Sequence, residues 1–136
     1  GGSGIVPLMA MIRHRCAAGS LTPFRLLYSS RTAADVIYAQ ELERLQRSQP
    51  SLEIFHTLTR AKPFGWTGYT RRIDRDMLRD VLAPKNGAPP PLGQSLRAYI
   101  CGPTLLVETA ANALVSLGIP DERIRTERFG PTGGPA

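Results

Sequence analysis

Lysine is almost missing from this sequence, cysteine is scarce, and no apolar stretch approaches the length of a membrane span. With only Cys16 and Cys101, the chain has too few thiols for a disulfide framework, a four-thiolate iron–sulfur centre or a zinc ribbon. A reducing, cytoplasmic setting is the expected one. A transmembrane helix needs roughly 20 consecutive apolar residues, and every run here falls far short, so no membrane span is expected. No basic and apolar leader opens the chain, so no export signal is read at its start. Adjacent basic residues are confined to Arg71-Arg72, and few aromatics lie between the others. A nucleic-acid surface gathers its charge on one face, so no nucleic-acid partner is expected. Carboxylates are also poorly grouped. Asp74/Asp76 and Glu41/Glu43 read as helix caps and solvated faces, and no metal site is expected.

What the chain does contain fits one globular domain. It has 136 residues, 42% hydrophobic and 21% charged, enough to bury a single core. Its formal net charge of +6 is carried almost wholly by arginine, Lys62 and Lys85 being the only lysines. Such a surplus attracts anions, whether a phosphorylated small molecule or an acidic protein.

Apolar periodicity alternates between helix and strand. Ile5, Leu8, Met9 and Ile12 follow one helix face, Pro7 sits in a first turn that tolerates it, and Gly19 closes the helix. Phe24 to Tyr28 reads as a buried strand ending in Ser29-Ser30-Arg31. Thr32 to Asp35 has the form of a capping box and is expected to open a second helix through Ile37, Leu42 and Leu45, stopped by Pro50. Leu52 to Thr59 reads as the next strand, and a turn-rich loop runs from Arg60 to Arg72. Asp74 is placed to cap a short helix carrying Met77, Leu78, Val81 and Leu82. Pro84 to Ser95 reads as an exposed loop. A strand over Leu96 to Cys101 leads to Thr104, expected to cap a helix that Gly118 and Pro120 end. Ile124 to Phe129 is the last strand, and 130–136 is expected to be a flexible tail. This rhythm predicts an α/β fold with a parallel sheet covered by helices.

Two junctions have the composition of anion sites. Gly1-Gly2-Ser3-Gly4 precedes a helix, where glycines let the backbone approach a phosphate and the helix start offers unpaired N–H groups. No strand stands before it to aim the helix, so these residues are either a linker or the point at which the chain enters a larger domain. Cys101-Gly102-Pro103-Thr104 joins a strand to a helix at a carboxyl end, where ligands of open parallel sheets collect. On the residues alone Cys101 is either a small buried hydrophobe or a ligand-facing thiol. His14 and His56 read as surface or structural histidines.

Taken together, Gly-Gly-Ser-Gly-Ile-Val-Pro-Leu (1–8), Leu-Leu-Tyr-Ser-Ser-Arg (26–31) and Tyr-Ile-Cys-Gly-Pro (99–103) stand in the order and spacing of a known family. Trp66-Thr67-Gly68 and Glu127-Arg128-Phe129 fit as well. Over essentially its whole length the chain resembles the pyridine-nucleotide domain of the ferredoxin–NADP reductase family. That resemblance implies a Rossmann-like parallel sheet of about five strands that binds NAD or NADP. Gly2, Ser3, Gly4 and Pro7 match the turn that holds the pyrophosphate, and Cys101, Gly102 and Pro103 match the segment beside the nicotinamide. There the cysteine would position and polarise rather than attack. Glu127 and Phe129 match the family's C-terminal acid and flavin-facing aromatic. Hydride would pass to FAD or FMN and electrons onward to an acceptor.

A 2′-phosphate calls for hydroxyls and guanidinium groups, whereas a bare ribose meets an acid. Ser29, Ser30, Arg31, Thr59 and Arg60 at the strand ends, with Arg71 and Arg72 in support, tilt the expectation to NADP(H), with NAD(H) left open. The family's flavin sits mainly in a preceding β-barrel, and its sheet has a strand ahead of the glycine turn. Neither is found here. Residues 1–129 are therefore expected to be an N-terminally incomplete NAD(P)-binding domain belonging to a longer reductase. The alternative is a non-catalytic nucleotide- or partner-binding module that docks an acidic electron carrier.

Overall fold

The computed structural model describes residues 1–84 and 96–130. Most of the expected 84–95 loop, and residues 131–136 of the expected tail, lie outside the described residues. The chain forms two compact units, the first spanning Gly1–Arg72 and the second beginning at Ile73. Each contains a parallel strand–helix–strand unit, so the α/β class with parallel strands stands. Among the described residues four strands form two parallel pairs.

In the first unit a 3-10 turn, Gly2–Gly4, leads directly into α1 (Ile5–Ala17). Ile5, Met9 and Ile12 are buried, as their spacing dictates, and Arg15 extends the same face. Its guanidinium donates to the Thr22 carbonyl and to Ser51 Oγ (2.9 Å) and lies 5.8 Å from the Phe24 ring. That places a cation at the helix C-terminus, where the dipole favours it. β1 (Phe24–Ser30) pairs in parallel with β2 (Leu52–Leu58), from Phe24↔Leu52 to Ser30↔Leu58. Between them runs α2 (Ala39–Ser48), whose Leu42 joins Ile5, Met9, Ile12, Leu26, Tyr28, Leu52 and Ile54 in one core.

The second helix starts later than expected. Thr32 N–H and Oγ1 both donate to the Asp35 carboxylate, at 3.1 and 2.9 Å, but this box closes only the 3-10 turn Ala33–Asp35. Val36 is extended, Tyr38 has φ +62°, and Ile37 falls outside the helix, 38% exposed. Two causes act here. Val36-Ile37 is a β-branched pair, stiff in a helix. The Ile37 N–H, which a continuous helix would give to a carbonyl four residues earlier, is taken instead by the Tyr28 phenol (3.2 Å).

The outer edge of β2 is covered by the loop after it. Tyr69 N–H donates to the His56 carbonyl and Leu58 N–H to the Tyr69 carbonyl, both at 3.1 Å. Gly68 makes this approach possible, since a Cβ there would lie 2.7 Å from the Trp66 ring and 2.9 Å from the His56 oxygen. Trp66 Nε1 donates to the Tyr69 carbonyl at 3.0 Å, fixing the loop against the strand. An exposed sheet edge is thereby shortened.

In the second unit Asp74 caps α3 (Arg75–Leu82) as expected, its carboxylate accepting from Met77 N–H at 2.8 Å. β3 (Ala98–Pro103) and β4 (Ile124–Phe129) pair in parallel, flanking α4 (Thr104–Ser116) in sequence. α4 buries Val107, Ala110 and Leu114. β3 lies two residues later than expected because its pairing with β4 starts at Ala98↔Ile124, beyond Leu96 and Arg97. The expected Thr104 cap is also displaced. Pro103 occupies the cap position and offers no side-chain acceptor, while Thr104 is already helical with its Oγ1 buried and unpaired.

Candidate nucleotide site

The expected site residues of the first unit do come together. At the glycine turn Gly2 has φ +55°, a conformation that costs an L-residue roughly 1–2 kcal/mol. The turn closes through Gly4 N–H to the Gly1 carbonyl (3.0 Å), and no side chain caps α1. Its first-turn donors are thus left for backbone or ligand. Ser3 is exposed beside them, and Pro7, third in the helix, removes an N–H that needs no partner. This turn lies against the end of β1, because Tyr28 Oη donates to the Gly2 carbonyl at 3.1 Å.

The ends of β1 and β2 are joined by backbone bonds. Thr59 N–H donates to the Ser30 carbonyl (3.0 Å) and Arg60 N–H to the Arg31 carbonyl (2.9 Å). This sets Ser29, Ser30, Arg31, Thr59 and Arg60 side by side. Arg31 and Arg60 are exposed and have no ion-pair partner among the described residues. Ser29 and Ser30 are buried, and Ser30 Oγ lacks a well-formed hydrogen bond, although the Tyr28 phenol is close enough to feel it. Burial pushes the Tyr28 phenol up, so it stays a proton donor. Arg71 is otherwise engaged: its guanidinium lies 5.6 Å over the Tyr69 ring and its carbonyl accepts from Thr57 Oγ1.

The second unit gathers the remaining candidates by strand register. Cys101 stands opposite Glu127, Gly102 opposite Arg128, and Pro103 opposite Phe129. Cys101 is 8% exposed. Burial first, and the Glu127 charge second, push its thiol up, so it is held neutral and is not primed as a nucleophile. Glu127 is exposed and Phe129 partly so, while Arg128 leaves this set to pair with Glu108 on α4.

His56 is structural. It stacks on Tyr28 at 5.9 Å and meets Trp66 edge-on at 6.4 Å. Burial lowers its pKa and keeps the ring neutral. A depression of about 520 Å3 lies along mid-β2, between Ile54–His56 and 66–69, away from the strand ends. Sequence reasoning missed Tyr28. Inside the apolar run Phe-Arg-Leu-Leu-Tyr it reads as core, and no local pattern announces that its hydroxyl reaches the glycine turn.

The comparisons with known proteins identify the family. Residues 1–112, a span running through both units, match the family described as the oxidoreductase NAD-binding domain, and the chain belongs to that family. Human NADH-cytochrome b5 reductase 2 is 33% identical over 129 residues, covering 93% of this chain and 44% of that protein. Ferredoxin–NADP reductase B of Sorangium cellulosum is 31% identical over 131 residues, covering 94% of this chain and 51% of that one. Among solved structures, the cytochrome b5 reductase domain of Ulva prolifera nitrate reductase superposes with a TM-score of 0.77 at 27% identity, over 93% of this chain and 45% of that one. The chain thus spans about half the length of these relatives. Among the described residues no helix is long and apolar enough to cross a membrane.

Proposed function

We propose that this chain is the NAD(P)H-binding half of a flavin-dependent oxidoreductase, with residues 1–129 acting as one nucleotide domain beside a flavin domain upstream in the same polypeptide. The observation that carries the reading is the meeting, in the first unit, of an uncapped glycine turn with strand ends whose Arg31 and Arg60 have no ion-pair partner among the described residues. In this role Gly2, Ser3 and Gly4 receive the diphosphate, with Pro7 in the first turn of α1, where its missing N–H leaves no helical bond unmade. Arg31 and Arg60, with the hydroxyls of Ser29, Ser30 and Thr59, take the adenosine side. NADP(H) is favoured over NAD(H), because these groups suit a 2′-phosphate and the nearby acid, Asp35, is occupied by Thr32.

In the second unit Cys101, Gly102 and Pro103 take the nicotinamide. When bound, that ring supplies a hydride and FAD or FMN accepts it. Cys101 presents a neutral, polarisable sulfur to a ring whose charge changes, and Glu127 and Phe129 border the same strand ends. Electrons pass onward to an acceptor, for which an acidic protein fits the +6 charge. The scarcity of cysteine favours a cytoplasmic setting.

The test is Cys101→Ala in the full-length protein. The expected result is a fall of about ten-fold or more in the rate of flavin reduction by NADPH, with nucleotide affinity within two-fold of wild type. An unchanged rate would instead favour a non-catalytic module docking an acidic carrier.

A further inference from the structure

Tyr28 is 2% exposed on β1, opposite His56, yet its hydroxyl serves two segments outside the strand. It donates to the Gly2 carbonyl at 3.1 Å and accepts from Ile37 N–H at 3.2 Å. The Gly2 carbonyl also accepts from the backbone N–H of Ile5, so both of its lone pairs are engaged. Direction follows from that double hold. A trans peptide is planar, with its C=O and N–H pointing opposite ways. Fixing the Gly2 carbonyl inward, onto Tyr28 and Ile5, turns the N–H of the same peptide, which belongs to Ser3, away from the core. Gly2, at φ +55°, needs such a hold, since a glycine otherwise samples both hands of the φ map.

We propose that Tyr28 is a positioning residue for nucleotide binding: by anchoring the Gly2 carbonyl it aims the Ser3 amide at the diphosphate, and through Ile37 it ties that turn to the segment preceding α2. This rests on the proposed dinucleotide function and adds to it a residue that touches neither cofactor nor reacting atoms. The hydroxyl is the active part. The ring packs in the core and stacks on His56, and Phe would keep both contacts.

The experiment compares wild type and Tyr28→Phe in the full-length protein, with adenosine and ADP-ribose as probes. The ratio of their dissociation constants isolates what the ribose-diphosphate portion contributes. Of the two hydrogen bonds lost, the one to the Gly2 carbonyl bears on the diphosphate, and its loss predicts ADP-ribose binding weakened roughly three- to ten-fold in the variant, with adenosine binding within two-fold. Equal affinity for ADP-ribose, or the same loss for both probes, would overturn the proposal, the second result marking Tyr28 as a general structural residue. Failure of the wild type to bind ADP-ribose would instead sink the functional reading beneath it. Should Tyr28→Phe not fold, amide exchange in wild type decides. ADP-ribose, unlike adenosine, is expected to slow exchange at Ile37 several-fold, and no slowing there would overturn the coupling.

Discussion

The two junctions that carry the proposed site solve opposite problems. At the glycine turn of the first unit the backbone is open: α1 has no side-chain cap, Ser3 is exposed, and the arginines at the neighbouring strand ends lack ion-pair partners among the described residues. At the Cys101–Thr104 junction of the second unit Cys101 and Gly102 are closed in, while Pro103 is exposed. The thiol is buried and neutral, Thr104 Oγ1 is buried, and Pro103 removes a donor at the start of α4. An open, positive junction suits a diphosphate, whereas a buried and uncharged one suits a planar ring. α3 supplies the control. Its first turn is closed by its own acid, Asp74, which leaves no vacancy for an anion.

The sharpest way to break this comparison is Gly2→Val. A β-branched residue at φ +55° strains the turn and displaces the amides proposed to hold the diphosphate, although the position itself has room for a Cβ. The expected outcome is an NADPH dissociation constant raised at least ten-fold in a titration of the full-length protein. Arg60→Ala has a smaller and more selective effect. Removing one charge-assisted contact is expected to raise the KM for NADPH about five- to ten-fold while leaving that for NADH within two-fold. Equal effects on both cofactors would move Arg60 from the 2′-phosphate to a general electrostatic role.

Much of the fold is legible in the sequence. The stripe Ile5, Met9, Ile12 gave α1, Asp74 was recognised as a cap, and β4 runs over the residues its pattern indicated. Where the structure departs from that reading, the cause is either a neighbour, as with Val36-Ile37 before α2 and Pro103 at the start of α4, or a partner distant in sequence. α2 begins at Ala39 because Tyr28, nine residues before Ile37, claims an amide that local pattern assigned to a helix. β3 shifted because register with β4, some 26 residues on, decides where pairing starts. At the site, residue types and spacing mark the glycine turn and the cysteine as candidates, the first also readable as a linker and the second as a small buried hydrophobe. They were silent on Tyr28, whose role depends on a turn 26 residues earlier. They were silent too on the loop edge at Tyr69, which depends on Gly68 yielding to Trp66.

The most direct measurement is a residue-resolved amide spectrum of the full-length protein titrated first with ADP-ribose and then with NADP+. The account predicts that Gly2, Ser3 and Gly4 shift with both ligands, whereas Cys101, Gly102 and Thr104 shift only when the nicotinamide is present. Shifts at Cys101 to Thr104 of equal size with ADP-ribose, or none at the glycine turn with either ligand, would contradict it.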